Sequence, residues 1–141
     1  NKDFWYLGKP YKVIFDNRVT KIDFYEDTIT CENEDALNKF YSEECERVFK
    51  EEIDICKKCF STLPEFSLKI RKMKTRWGVC NTRDKIITLN RELLKKDISL
   101  IDYVIIHELS HFFEPNHSKN FWALVATAIP DYKERRKKLR Y

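Results

Sequence analysis

Apolar positions follow two different periods along this 141-residue chain. Residues 4–31 have a β pattern. The stretch FWYLGKPYKVIFD is rich in aromatic and β-branched residues and is broken by Gly8 and Pro10. Ile22 and Phe24 then share one parity ahead of Thr28–Cys31. Three or four short strands are predicted there. From Glu34 to Phe60 the period becomes helical: Leu37, Tyr41, Cys45, Val48, Ile55 and Cys59 recur with Glu and Lys between them. That spacing predicts one long amphipathic helix. Asn33 is placed to cap it, and Glu34 and Asp35 suit the positive end of its dipole. Pro64 closes the segment.

Period two returns in EFSLKIRKM. Phe66, Leu68 and Ile70 alternate with Ser67, Lys69 and Arg71, which predicts a strand with one apolar and one basic face. Asn81–Lys85 predict a turn and Ile86–Leu89 its return strand. A short helical stretch at Arg91–Lys95 leads to Asp97 or Ser99, either able to cap the next helix. That helix is expected over about 99–113, with Ile101, Val104, Ile105, Leu109 and Phe112 buried and Pro115 ending it. A third helix, about 118–129, carries Phe121, Trp122, Val125 and Ile129. Pro130 breaks it, and DYKERRKKLRY predicts a short basic helix at the end.

Composition narrows the class further. With 43% hydrophobic and 14% aromatic residues the chain is not disordered, and two Gly and four Pro leave little material for linkers. No apolar run reaches the roughly 18 residues of a membrane span, so no membrane partner is expected. The start lacks a basic-then-apolar leader, so secretion is not indicated. It also lacks an initiator Met and begins almost directly in a strand-like run. The chain is therefore expected to be one domain, 1–141, forming the C-terminal part of a longer protein. Within it, 1–32 is a β-rich lead-in and 33–141 the catalytic core. Five cysteines, an odd number without a leader, favour reduced thiols in the cytoplasm. A net charge of +4 is compatible with acidic partners without demanding them.

The chemistry is concentrated in VIIHELSHFFEPNHSKNFW. All three histidines of the chain, His107, His111 and His117, lie in it. His107 and His111 are four apart on a predicted helix, so both imidazoles leave one face, with Glu108 beside them. This is the HExxH arrangement of two zinc ligands and a general base. Pro115 breaks the helix and lets the chain return with His117. A catalytic zinc takes three protein ligands and keeps a fourth position for water. The expected chemistry is hydrolysis by a zinc-activated water whose proton Glu108 accepts. Three ordinary helix or core histidines are the bland alternative. That alternative leaves their shared window, their zinc spacing and a Glu on an apolar helix unexplained. A donor for the developing oxyanion is also needed, with Arg76, Asn90, Tyr103 and Asn116 as candidates. Asp102 is a candidate acceptor for a ligand histidine.

Three stretches, MKTRWGVCNTRDKIITLN, IDYVIIHELSHFFEPNHSKNFW and PDYKERRKKL, resemble the YgjP-like metallopeptidase family, zincins related to the SprT-like proteases. The likeness runs from about Leu63 to Leu139, and YLGKPYKV resembles the strand before that family's long helix. It implies an α+β zincin-like fold: a small twisted sheet, a long backing helix and an HExxH helix beneath. It implies one zinc held by His107, His111 and His117, with Glu108 as base. It also implies that Arg76, Trp77, Gly78 and Asn90 sit near the site, where Arg76, Trp77 and Asn90 are candidates for substrate or oxyanion binding. The family usually has Trp-Gly-Ser-Cys where this chain has Trp77-Gly78-Val79-Cys80, so a Ser hydroxyl is lost. The histidine spacing equals that of the metzincins, but Glu114 stands where those enzymes need Gly, so membership of that group is rejected.

Weaker signals complete the picture. Cys56 and Cys59 form a CxxC without a second pair, and both are expected to be buried on a shared helix face. Trp77, Phe121 and Trp122 are expected in the core, with one of them walling the cleft. The tail from Lys133 to Arg140 holds six basic residues and one acid and is expected to be a solvated helix face. The basic strand at 67–71 is expected beside the site, where extended substrate adds to a sheet edge. The reading is a zinc metallopeptidase acting on peptide or protein. A metal-dependent nucleoside triphosphate pyrophosphohydrolase is the second reading. A zinc-stabilised module on nucleic acid is the third.

Overall fold

The computed structural model describes residues 3–140; Asn1, Lys2 and Tyr141, the ends of the expected domain, lie outside the described residues. Strands β1 (Phe4–Tyr6), β2 (Lys9–Phe15), β3 (Asp23–Tyr25) and β4 (Thr28–Cys31) form a sheet in the order β1-β2-β4-β3. Helix α1 (Glu34–Lys57) follows. Strands β5 (Ser67–Arg71), β6 (Gly78–Asn81) and β7 (Ile86–Asn90) then form a second sheet in the order β5-β7-β6. A 3-10 turn at Arg91–Lys95 leads into α2 (Ile98–Ser110), α3 (Lys119–Ala128) and α4 (Tyr132–Leu139). The mixed α+β class is as expected, but the strands fall into two small sheets. Helix α1, 24 residues and about 36 Å long, separates the two sheets in the chain.

Asn33 caps α1 as predicted, Asp97 rather than Ser99 caps α2, and Ser118, read as the start of a helix, caps α3. Asn33 accepts from the Ala36 amide at 2.8 Å, Asp97 from Ser99 at 3.0 Å, and Ser118 from Phe121 at 3.3 Å. The buried stripe of α1 differs from the expected one. It runs Leu37, Tyr41, Cys45, Val48, Phe49, Ile53 and Cys56, whereas Ile55 and Cys59 are exposed. The stripe turns because α1 changes partners. Leu37 joins Ile29 and Cys31 in a small core under the first sheet, and the C-terminal half packs on α2. At ~100° per residue, Ile55 sits about 200° round the helix from Ile53.

Helix α2 is buried on nearly every side, from Leu100 to Ser110 with only Asp102 part-exposed, because α1, α3, α4 and β6 all pack on it. A helix apolar all round belongs in a core. Each fully buried Ile or Leu there contributes roughly 1.5–3 kcal/mol of transfer free energy. The N-terminal sheet braces the same helix. The β1–β2 turn holds Leu7 at φ 51° and Gly8 at φ 85°, and their amides donate to the carbonyls of Leu94 and Lys95 at 2.9 Å. The hairpin tip is thereby fixed to the turn that launches α2. No helix among the described residues is long and apolar enough to cross a membrane.

Candidate metal centre

His107 and Glu108 lie on the last turn of α2, and His111 is its C-terminal cap. The chain leaves the helix through Phe112–Pro115 and returns with His117 just before α3. This turn takes no residue into the left-handed region, which explains why Glu114 serves where a metzincin needs Gly. One nitrogen from each histidine lies within 4.8 Å of the others. The His111 Nδ1–H donates to the Glu114 carbonyl at 3.1 Å, which leaves Nε2 as the lone-pair nitrogen. The His107 Nδ1 faces Glu108 Oε2 at 2.9 Å. Part burial, then the neighbouring His107 and His111, lower the His117 pKa and so favour its neutral, metal-binding form. Three converging imidazoles, one with its tautomer fixed by a carbonyl, fit a tetrahedral divalent ion of the zinc type.

The fully buried Phe121 underlies all three rings. It stacks on His111 at 4.5 Å and meets His107 and His117 edge-on at 5.0 and 4.9 Å. Trp122 stacks on His117 at 5.7 Å. Phe121 is thus core, as expected, and Trp122 is the wall. The cleft has a volume of about 600 Å³ and is bounded by β6 and its turn (Gly78, Val79, Cys80, Thr82), by Arg76 and by Arg136 of α4. Gly78 is required by the packing: a Cβ there would stand 2.9 Å from Cγ of Glu108. Burial, with Glu108 nearby, pushes the Cys80 thiol up to about 12, so it is a neutral wall.

Arg76 and Gly78 reach the cleft, but two other expected residues do not. Asn90 is 4% exposed, and its amide is consumed within the fold. Its Nδ2 donates to the carbonyls of Met73 and Arg76 at 3.0 and 2.8 Å, while Oδ1 accepts from Glu92. Asn90 therefore shapes the loop that carries Arg76. The indole of Trp77 donates to the Leu139 carbonyl at 3.3 Å and takes Lys96 over its ring. It anchors α4. Of the remaining oxyanion candidates, Tyr103 is fully buried and Asn116 is exposed outside the cleft. Asp102 faces α1, with Cys56 Sγ at 3.8 Å, and so does not orient a ligand histidine. The basic strand β5 lies on the far side of β7, and it is β6 that borders the cleft.

Arg136 was not singled out from the sequence. Its guanidinium lies 4.8 Å over Trp122, whose ring also stacks on Tyr132 at 5.2 Å. The signal was the four-residue spacing of Tyr132 and Arg136, which puts an aromatic and a cation on one face of α4. Leu139 on the same helix is buried, so the tail is a docked helix and not a wholly solvated one.

No curated protein matches the chain in sequence. Solved structures share the fold, among them two metallopeptidase zymogens. The metallopeptidase zymogen abylysin of Pyrococcus abyssi superposes with a TM-score of 0.60 at 23% identity, over 64% of this chain and 90% of that one. The metallopeptidase zymogen jannalysin of Methanocaldococcus jannaschii gives 0.57 at 22%, over 64% and 92%. The family described as YgjP-like, metallopeptidase domain, matches residues 1–141. With its fold, its histidine cluster and this end-to-end match, the chain belongs to the YgjP-like metallopeptidase-domain family.

Proposed function

We propose that the protein is a zinc-dependent peptidase in which His107, His111 and His117 hold the metal and Glu108 is the general base. The supporting observation is that three imidazoles and one buried carboxylate meet in a single cleft. When bound, zinc supplies Lewis acidity, which acidifies a water and polarises the scissile carbonyl. Glu108 takes the proton of the attacking water and returns it to the leaving amine. Arg76, on the loop shaped by Asn90, faces the charge that develops on the carbonyl oxygen. An extended peptide adds to the cleft-side edge of β6, with Val79 and Cys80 beneath it. Residues 33–141 form the catalytic part, and the lead-in sheet steadies α2.

The test is Glu108→Gln. Glutamine keeps the shape and loses the base, so the variant should bind about one equivalent of zinc and lose turnover of unfolded protein by about 10²–10⁴-fold. His107→Ala with His111→Ala should lose the metal itself. Turnover retained in Glu108→Gln removes it as the base. Zinc-dependent hydrolysis of nucleoside triphosphates, with none of peptide, replaces the reading with the pyrophosphohydrolase one.

A further inference from the structure

Helix α4 forms one wall of the metal cleft, and that wall is basic. Arg136 lines the cleft and also a second concavity of about 390 Å³, whose other walls are Lys133, Lys137 and Arg140. Residues 133, 136, 137 and 140 share one face of a helix. Among the described residues, no carboxylate lines the second concavity, and Glu108 is the one acid of the first. Asp131, just before α4, is engaged by Arg135 at 3.2 Å, and Glu134 is the one acid within α4. Among the described residues, none of the four cations has an ion-pair partner. Like charges at this spacing repel one another, and the negative end of the α4 dipole offsets part of that repulsion.

Arg136 is also held in place. Trp122 supports its guanidinium, and Trp122 is itself packed on His117 and Tyr132. A guanidinium fixed in this way binds a carboxylate with little further loss of freedom. We propose that the cleft selects acidic peptides: the chain crossing the metal centre passes Arg136 and sets carboxylate side chains against Lys133, Lys137 and Arg140. This rests on the peptidase reading above and gives it a substrate class. A nucleic-acid strand suits the concavity less, because no aromatic ring among the described residues lines it for base stacking. The Glu108 carboxylate in the adjoining cleft also opposes a polyphosphate.

The test uses the zinc-loaded chain and three fluorogenic peptides of equal length: one neutral, one with three Glu before the scissile bond, one with three Glu after it. One Glu peptide should exceed the neutral one in kcat/KM by about tenfold in dilute salt, with the ratio shrinking towards one at about 0.5 M salt. The double variant Lys137→Gln, Arg140→Gln should bring the dilute-salt ratio to within about twofold of one. Both positions are exposed, and an unchanged circular dichroism spectrum and zinc content confirm its fold. Binding gives a second readout. Fluorescence anisotropy of the labelled acidic peptide on Glu108→Gln protein should show the same preference and the same loss in the double variant. Cleavage of the neutral peptide as fast as both Glu peptides overturns this inference and leaves the peptidase reading standing. Failure to cleave any of the three overturns both. Displacement of the acidic peptide by a single-stranded oligonucleotide at a tenth of the peptide's own concentration overturns it in favour of nucleic acid.

Discussion

Gly78 and Glu108 are in contact across the cleft floor. A methyl group on Gly78 would stand 2.9 Å from Cγ of Glu108, 3.4 Å from its Cδ and 3.0 Å from Cγ1 of Val104. Strand β6 can therefore approach α2 this closely only without a side chain at this position. Gly78→Ala is expected to move the carboxylate while leaving the three histidines in place. Zinc content should stay near one equivalent and kcat should fall by about 10- to 100-fold, the usual effect of misplacing a reacting group by about an ångström. Stability should fall by about 1–3 kcal/mol from overpacking. Unchanged kcat, measured beside metal analysis, would show that Glu108 tolerates displacement.

Phe121 is the surface on which the ligand rings are oriented. Phe121→Leu keeps most of the buried volume but loses the flat face under His111 and the edge contacts to His107 and His117. Zinc affinity is expected to drop by about 10- to 100-fold, the range seen when the outer shell of a metal site is altered. Competition with a chromogenic chelator at fixed pH measures it. An unaltered affinity would mean that the histidines orient themselves.

Much of this centre was legible beforehand because its cause is local. His107, Glu108 and His111 follow from helical spacing, and Pro115 marks the break that brings His117 round. Local signals also placed the Asn33 cap and narrowed the α2 cap to Asp97 or Ser99. What the sequence hid depended on tertiary contact. Asn90 and Trp77 have polar groups that suit a site, yet each is spent on a backbone carbonyl brought from elsewhere, 14 and 62 positions away in sequence. The stripe on α1 could not be extrapolated through Ile55, because the helix passes from one sheet to α2 midway. The order β5-β7-β6 reversed the expected roles of two strands, and pleating carries no information on which strand becomes the edge. Arg136 was in view only as one charge in a basic tail.

The hairpin tip at Gly8 predicts a link between the first sheet and α2. Gly8 is at φ 85°, and a Cβ there would stand 3.1 Å from the backbone N and Cα of Asp97, the residue capping α2. Gly8→Ala meets both a left-handed backbone and a clash with backbone atoms that cannot swing aside. A loss of about 1–3 kcal/mol is expected. It should appear as a Tm several degrees lower, with faster amide exchange in the first turn of α2. A Tm within one degree of the parent's would mean that the lead-in sheet floats free of the catalytic part.

Asp102 gives a stability dependence on pH that is separate from the metal. It sits between α1 and α2. Burial first, then a hydrogen bond with Glu52 and the charge of Glu52, push its pKa up to about 7. Arg135 of α4 and the Cys56 thiol oppose this weakly. The folded protein therefore holds a proton that the unfolded chain has lost by about pH 4. Between these values the folded state binds more protons, so the contribution is fully present below about pH 4 and is lost as pH rises through 7. Asp102→Asn removes the titration and keeps a donor facing Glu52. In chelator-treated protein, the Tm of the Asn variant relative to the parent should climb between pH 4 and pH 8, becoming positive at the alkaline end. A Tm difference that stays constant with pH would show that Asp102 ionises in the fold as it does in water.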